Sequence, residues 1–358
     1  MTQPRCGEAA CATHALGGYP VPVTQTPTAP ARTGGAGATS PPPHSATHSA
    51  THSAVPSARL RPRKARKRGR IASYVALTKP RIIELLLVTT LPSMILAAHG
   101  LPSWQVVLAT MFGGTLAAGS ANALNCYVDR DIDALMRRTG HRPLARHDVS
   151  PTPALVFGLV LGAISVGVMG AVTNWLAAAL TAAAIVFYVV VYTMLLKRRT
   201  SQNIVWGGAA GCMPVLIGWS AVTDSLAWAP FVLFGVVFFW TPPHFWALAI
   251  RYREDYSNAG VPMLPVVASP LRVAREIVVY SWLTVATTLV LWPLATGWVY
   301  GVLALVAGAA LLAGAHRLLR QTASSDPAVI PKPMQLFHLS NSYLAFVFVA
   351  VAVDTFLR

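Results

Sequence analysis

Between Asn122 and Leu144 the chain reads NALNCYVDRDIDALMRRTGHRPL, with three aspartates in five residues at the end of an apolar run. In an α-helix Asn125, Asp129 and Asp133 stand at i, i+4 and i+8 and share one face, about 12 Å from first to last. Asp131 is turned roughly 160–200° away from its two neighbours. Carboxylates at i and i+4 repel each other, so something positive belongs between them. Mg²⁺ suits the position, because it takes oxygen ligands and is commonly shared between one or two carboxylates and substrate phosphates. Arg137, Arg138 and Arg142 follow directly. Acids with a metal and arginines beside them make a cradle for a diphosphate. The alternative is a solvated acidic turn at the end of a membrane helix.

The elements that must position these groups cross a membrane. Of 358 residues 54% are hydrophobic and only 11% charged, the composition of a polytopic membrane protein. The net charge of +16 is unevenly placed: residues 1–81 hold twelve Lys and Arg against Glu8 alone. Most of the excess therefore lies in a tail beside the membrane, which argues against nucleic acid as partner. Residues 1–70 are rich in Pro, Ser, Thr and Ala, with an H-S-A-T repeat at His44, His48 and His52. Such a stretch is expected to be disordered. Its end, Arg59 to Arg70, reads as a polybasic anchor for anionic lipid that keeps the N-terminus in the cytoplasm. Four cysteines, two of them in the tail, show no metal or disulfide spacing.

From residue 71 onward nine apolar segments follow, near 82–99, 104–126, 153–172, 176–196, 203–222, 228–250, 276–296, 298–316 and 335–354. Each is close to the length that spans about 30 Å of hydrocarbon. With the N-terminus inside, every inner connection carries Lys or Arg, while the outer ones carry only His99 and Asp224. The C-terminus, with Arg358, then falls outside. A weak repeat of four helices is also visible: the second and sixth segments both end in acids, and the fourth and eighth in basic clusters. An even repeat makes the halves parallel copies, so acids from segments two and six should face each other.

Polar groups at such depth usually mark a site. Besides the aspartate run, three stretches qualify: TKPR (Thr78–Arg81), LKRRTSQN (Leu196–Asn203) and WTPPHFWALAIRYREDY (Trp240–Tyr256). The first two also read as plain positive-inside anchors. In the third, His244 lies between Trp240 and Trp246, behind Pro242 and Pro243, which should kink the helix. It is either a packed core histidine or an axial ligand or proton-transfer group, with His338 and His99 as weaker rivals.

Together these stretches resemble the UbiA superfamily of intramembrane prenyltransferases, whose N-x3-D-x3-D signature matches Asn125, Asp129 and Asp133. Within it, the closer resemblance is to the protohaem IX farnesyltransferase branch. It rests on LTKPRIIELLLVTTLP, NCYVDRDIDALMRRTGHRPL, YTMLLKRRTSQNIVWGGAAGCMP, TPPHFWALAI and DYSNAGVPMLPVV, in order across residues 74–354. The resemblance implies an all-α, UbiA-like fold of about nine transmembrane helices around a central cavity in a bacterial cell membrane. It implies farnesyl diphosphate and haem B as substrates, haem O as product and Mg²⁺ as cofactor. Asn125, Asp129, Asp133 and Asp255 take the catalytic positions, with Asp129 and Asp133 as Mg²⁺ ligands. Lys79, Arg81, Arg142, Lys197 and Arg198 fall to the diphosphate, and His244 to the haem. Candidate partners are a haem A synthase or an oxidase-assembly protein. One departure stands: the superfamily's second D-x3-D motif is RYREDYSNAG here, so the second acid is Asp255, Glu254 or neither. Two further readings remain open, a UbiA enzyme acting on an aromatic quinone precursor and a non-catalytic haem-binding or transport protein.

Overall fold

The computed structural model describes residues 69–358. The expectations for the tail, including nearly all of its basic run, lie outside them. The described residues are helical and contain no strand. In order the helices are α1 (Arg70–Thr78), α2 (Pro80–Ala98), α3 (Trp104–Val128), α4 (Arg130–Leu135), α5 (Pro151–Val172), α6 (Trp175–Val186), α7 (Asn203–Gly207) and α8 (Ala209–Thr223). They continue with α9 (Trp228–Arg251), α10 (Arg253–Asn258), α11 (Leu264–Val267), α12 (Pro270–Ala295), α13 (Trp298–Ala323) and α14 (Pro333–Leu357). A π-helix, Phe187–Leu196, prolongs α6. Among the described residues eight spans are long and apolar enough to cross a membrane, or nine when α1 and the bent α2 count as one. The chain is an all-α multi-pass membrane protein, as the nine apolar segments require.

Local chemistry sets the ends. Proline occupies the first turn of α2, α5, α12 and α14, where its missing N–H is no loss. Asn174 and Ser269 accept the orphan N–H groups of Ala177 and Arg272 and so start α6 and α12. The outer surface is apolar: on α5 alone Val156, Leu159, Val160 and Ile164 are exposed, a face that only lipid covers comfortably. At the first residues of α3, α6, α9 and α13 stand Trp104, Trp175, Trp228 and Trp298, each more than two-thirds exposed. All four helices run in the same direction, so these tryptophans share one end of the bundle, the far end. The acids stand at the other, the site end.

The packing order repeats. α3 packs on α5 and α5 on α6, as α9 packs on α12 and α12 on α13. α2 joins the halves by touching both α8 and α14.

Three details differ from the regular spans expected. The first span breaks at Lys79, whose backbone is left-handed (φ 53°), with a bend of 51°. Asp129 separates α3 from the short α4, although its carbonyl still accepts from Asp133 N at 2.8 Å. The fourth span ends as π-helix, over the run FYVVVYTMLL. The prolines of α9 lie within one unbroken helix.

Candidate active site

The site is built on α3 and what the chain puts around its last turn. Asn122 and Asn125, one turn apart, pin the break in the first span. Asn122 Nδ2 donates to the Thr78 carbonyl at 2.9 Å, and Lys79 Nζ donates to Asn125 Oδ1 at 2.8 Å. Asn125 Nδ2 then donates to Asp129 Oδ2 at 2.7 Å and to Thr193 Oγ1, on the π-helix, at 3.2 Å. The asparagine thus bridges Lys79 to Asp129. Its amide is fully used.

Asp129 and Asp133 are both buried, at 0% and 2% exposure. A charge with so little contact with water needs a partner, and each has one. Lys197 Nζ donates to Asp129 Oδ2. Arg142 Nη1 reaches both Asp133 oxygens, at 2.7 and 2.6 Å. Asp131 faces away, as the helical spacing predicts, and Arg198 grips it through two bonds of 2.7 Å. Those bonds hold its carboxyl at about 2, well below the usual carboxylate range. The same guanidinium stands 3.6 Å from Asp129 Oδ1, so Arg198 leans on both acids. Asp129 Oδ1 is buried and has no hydrogen-bond partner. A free anionic oxygen in that position is a ligand atom in search of a cation, and the donor set fits Mg²⁺. Among the described residues no three His, Cys, Asp or Glu side chains converge, so a metal held here would need substrate oxygens and water to complete its shell.

Lys79, Asn125, Asp129, Asp133, Arg142, Lys197 and Arg198 therefore meet at one end of the bundle. Arg81 does not join them; it is exposed and makes no bond to the cluster. It lies in the first turn of α2, past the left-handed break at Lys79. Asp255 comes from the second half and is 3% exposed, but both its oxygens are taken. Arg137 Nε donates to Oδ1 at 3.2 Å, and the backbone N–H of Arg138 to Oδ2 at 2.9 Å. Arg137 also pairs with Glu254 at 2.7 Å. The acid of the second half is not bare: the Arg137 side chain and the Arg138 backbone N–H hold it.

His244 is 6% exposed. Its ring lies between Trp240 and Phe337, with centroids 4.2 and 4.4 Å away, and Nδ1 meets Ser340 Oγ at 2.9 Å. His99 and His338 are exposed. Sequence reasoning missed Thr193, Asn203 and Tyr256. Asn203 Nδ2 holds the Lys197 carbonyl at 3.2 Å, and Tyr256 OH accepts from Arg138 Nη2 at 3.0 Å. Asn203 lay inside the LKRRTSQN stretch and Tyr256 at the end of WTPPHFWALAIRYREDY, which were the available signals for them.

Comparison with known proteins agrees with this geometry. The UbiA prenyltransferase family model matches residues 86–341. The chain is 59% identical over 292 residues to protoheme IX farnesyltransferase 1 of Saccharopolyspora erythraea, covering 82% of this chain and 92% of that protein. It is 58% identical over 290 residues to the protoheme IX farnesyltransferase of Streptomyces coelicolor, covering 81% and 92%. Among solved structures, a UbiA homologue from Archaeoglobus fulgidus bound to DMAPP and Mg²⁺ superposes with a TM-score of 0.59, covering 78% of this chain and 99% of that one, at 18% identity. That last likeness speaks for the fold, while the family match takes in both the aspartate run and the loop that carries Lys197. The chain belongs to the UbiA prenyltransferase family.

Proposed function

We propose that this protein transfers the farnesyl group of farnesyl diphosphate to a vinyl group of haem B, giving haem O for terminal oxidases. The observation that carries the choice of substrate is the 59% identity to a protoheme IX farnesyltransferase over nearly the whole membrane part. The buried acid-and-cation cluster supplies the means.

Lys79, Lys197, Arg142 and Arg198 bring four positive charges to the rim of the two buried aspartates. They bind the diphosphate and hold it as the allylic C–O bond breaks and negative charge collects on the leaving group. Asp129 and Asp133 would hold Mg²⁺, which acts as a Lewis acid on the diphosphate oxygens. Asn125 keeps Lys79 and Asp129 in register throughout. The apolar helices shield the allylic cation from water until the vinyl carbon attacks it. Water then adds to the side-chain carbon next to the porphyrin and loses a proton, leaving the hydroxyethylfarnesyl group. His244 is the candidate haem contact. The product passes on to a haem A synthase or an oxidase-assembly protein.

The protein sits in a bacterial cell membrane, and the distribution of Lys and Arg supports an orientation with the site end and the N-terminus in the cytoplasm and the C-terminus outside. Reporter fusions at either terminus test that orientation. For the reaction, pigment from cells expressing the protein is resolved by chromatography. Haem O absent from a host without its own farnesyltransferase, and present after expression, supports the proposal. A prenylated quinone precursor in its place would move the protein to the other UbiA reading.

A further inference from the structure

At the site end, but on helices that contribute nothing to the acid cluster, α13 and α14 enclose a small groove of about 90 Å³. Its rim is polar and basic: Arg317, Gln321, Lys332 and Gln335. Its floor is apolar: Gly314, Leu318, Leu336 and Leu339. The two parts lie at different depths, since Gly314 and Leu339 are further from the α13–α14 connection than Gln321 and Lys332. No acid lines the groove. Arg317 and Lys332 make no ion pair among the described residues, and the nearby loop acid, Asp326, bonds the backbone N–H of Ala328. Gln321 Oε1 accepts from the backbone N–H of Lys332 at 3.1 Å, which fixes the lysine at the mouth. At Gly314 a Cβ would stand 2.6 Å from Leu339 Cδ2, so glycine is what lets the two helices close over the floor.

We infer that this groove binds one anionic phospholipid, with its phosphate between Arg317 and Lys332 and the start of an acyl chain on the Gly314–Leu339 floor. The charge is complementary and unopposed, and a basic pocket between transmembrane helices is where acidic headgroups dock. Pockets that enclose a whole drug-sized ligand run to about 300–1,000 Å³, several times this volume, so the groove takes a headgroup and the first carbons of one chain and leaves the rest of the lipid in the bilayer. The order of the lining matches a lipid, polar at the membrane face and apolar beneath it. A free phosphate has no use for the floor.

The test uses the full-length protein purified in detergent and followed by native mass spectrometry and thermal unfolding, with phosphatidylglycerol, phosphatidylcholine or inorganic phosphate added. Retention of phosphatidylglycerol and a rise in Tm, absent with phosphatidylcholine, are expected. Arg317→Gln with Lys332→Gln should cut retention at least about fivefold, roughly 1 kcal/mol, and abolish the rise. Arg320→Gln, at the same helix end but outside the groove, should change neither. The charge-preserving Arg317→Lys with Lys332→Arg should keep the lipid, which separates a lost site from a misfolded protein. Equal retention by the double Gln variant, or an equal loss with Arg320→Gln, would overturn the inference in favour of general attraction to a basic surface. A full Tm rise with inorganic phosphate alone would overturn it in favour of a soluble-anion site.

Discussion

The chemistry turns on which aspartates are buried. Asp129 and Asp133 lie out of water among cations, while Asp131, between them in sequence, is exposed and tied to Arg198. Asp129→Asn and Asp133→Asn should each lower turnover at least about a hundredfold, or roughly 2.7 kcal/mol of transition-state stabilisation, at normal expression. Asp131→Asn should lose far less. Equal, mild losses at all three positions in an assay of haem O formation would return the run to a solvated turn. The depressed carboxyl of Asp131 has its own consequence. A carboxylate held down by a folded-state partner contributes stability that is present above its unfolded value and lost only as pH falls through the folded one, here about 2. Wild type and Asp131→Asn should therefore give activity profiles of the same shape between about pH 5 and 8. This division of three aspartates was legible beforehand, because it follows from 3.6 residues per turn. The cations that reach them were legible only as charges. That Lys79 turns inward and Arg81 outward depends on a left-handed residue before a proline, and TKPR reads the same with either one buried.

Element geometry accounts for what the sequence hid. Thr193 meets Asn125 because the fourth span finishes as π-helix, and Lys197 N bonds back five residues to Tyr192 O in that winding. An apolar run reports its length and says nothing of its pitch. The same element leans on a glycine: at Gly207 a Cβ would stand 2.1 Å from Tyr192 Cδ2. Gly207→Ala should cost about 1–3 kcal/mol of stability through overpacking and lower turnover as Tyr192 and the adjoining Lys197 shift. Gly211→Ala, where a Cβ meets nothing within 4 Å, is the matched control, and thermal unfolding separates the two. On α9, His244 has aromatic rings on both faces, so the packed-core reading and the haem reading predict different losses. If His244 serves haem, His244→Ala weakens haem B binding by absorbance titration and leaves calorimetric binding of a diphosphate analogue intact. Unchanged haem affinity and turnover would leave it a packing residue.

For the whole molecule, the apolar spans were readable because a bilayer imposes a length rule that a soluble core does not. Contacts between the halves were not. Segments two and six were expected to oppose their acids, and instead Arg137 and Arg138 cross from one half to clasp Glu254 and Asp255 of the other. Positive-inside counting sees those arginines as anchors and cannot tell a clasp from a charge facing solvent. The tail remains a matter of composition: residues 1–58 have no apolar period, so their deletion should leave activity in isolated membranes nearly unchanged. A large loss would give the tail a part in catalysis.

The four tryptophans that open α3, α6, α9 and α13 carry a mechanical consequence. Indole rings settle at the headgroup level, so they moor the far end of the bundle at one depth. The 25 residues of α3 measure about 37 Å along the axis, against a hydrocarbon layer of about 30 Å. Asp129 thus stands just clear of the acyl chains, where a water-soluble diphosphate and a membrane-borne tail can be met together. Thicker membranes draw that clearance down, and the moored end cannot yield to restore it except by tilt. In proteoliposomes of increasing acyl length, turnover should hold and then decline once the lipid rises over the aspartates.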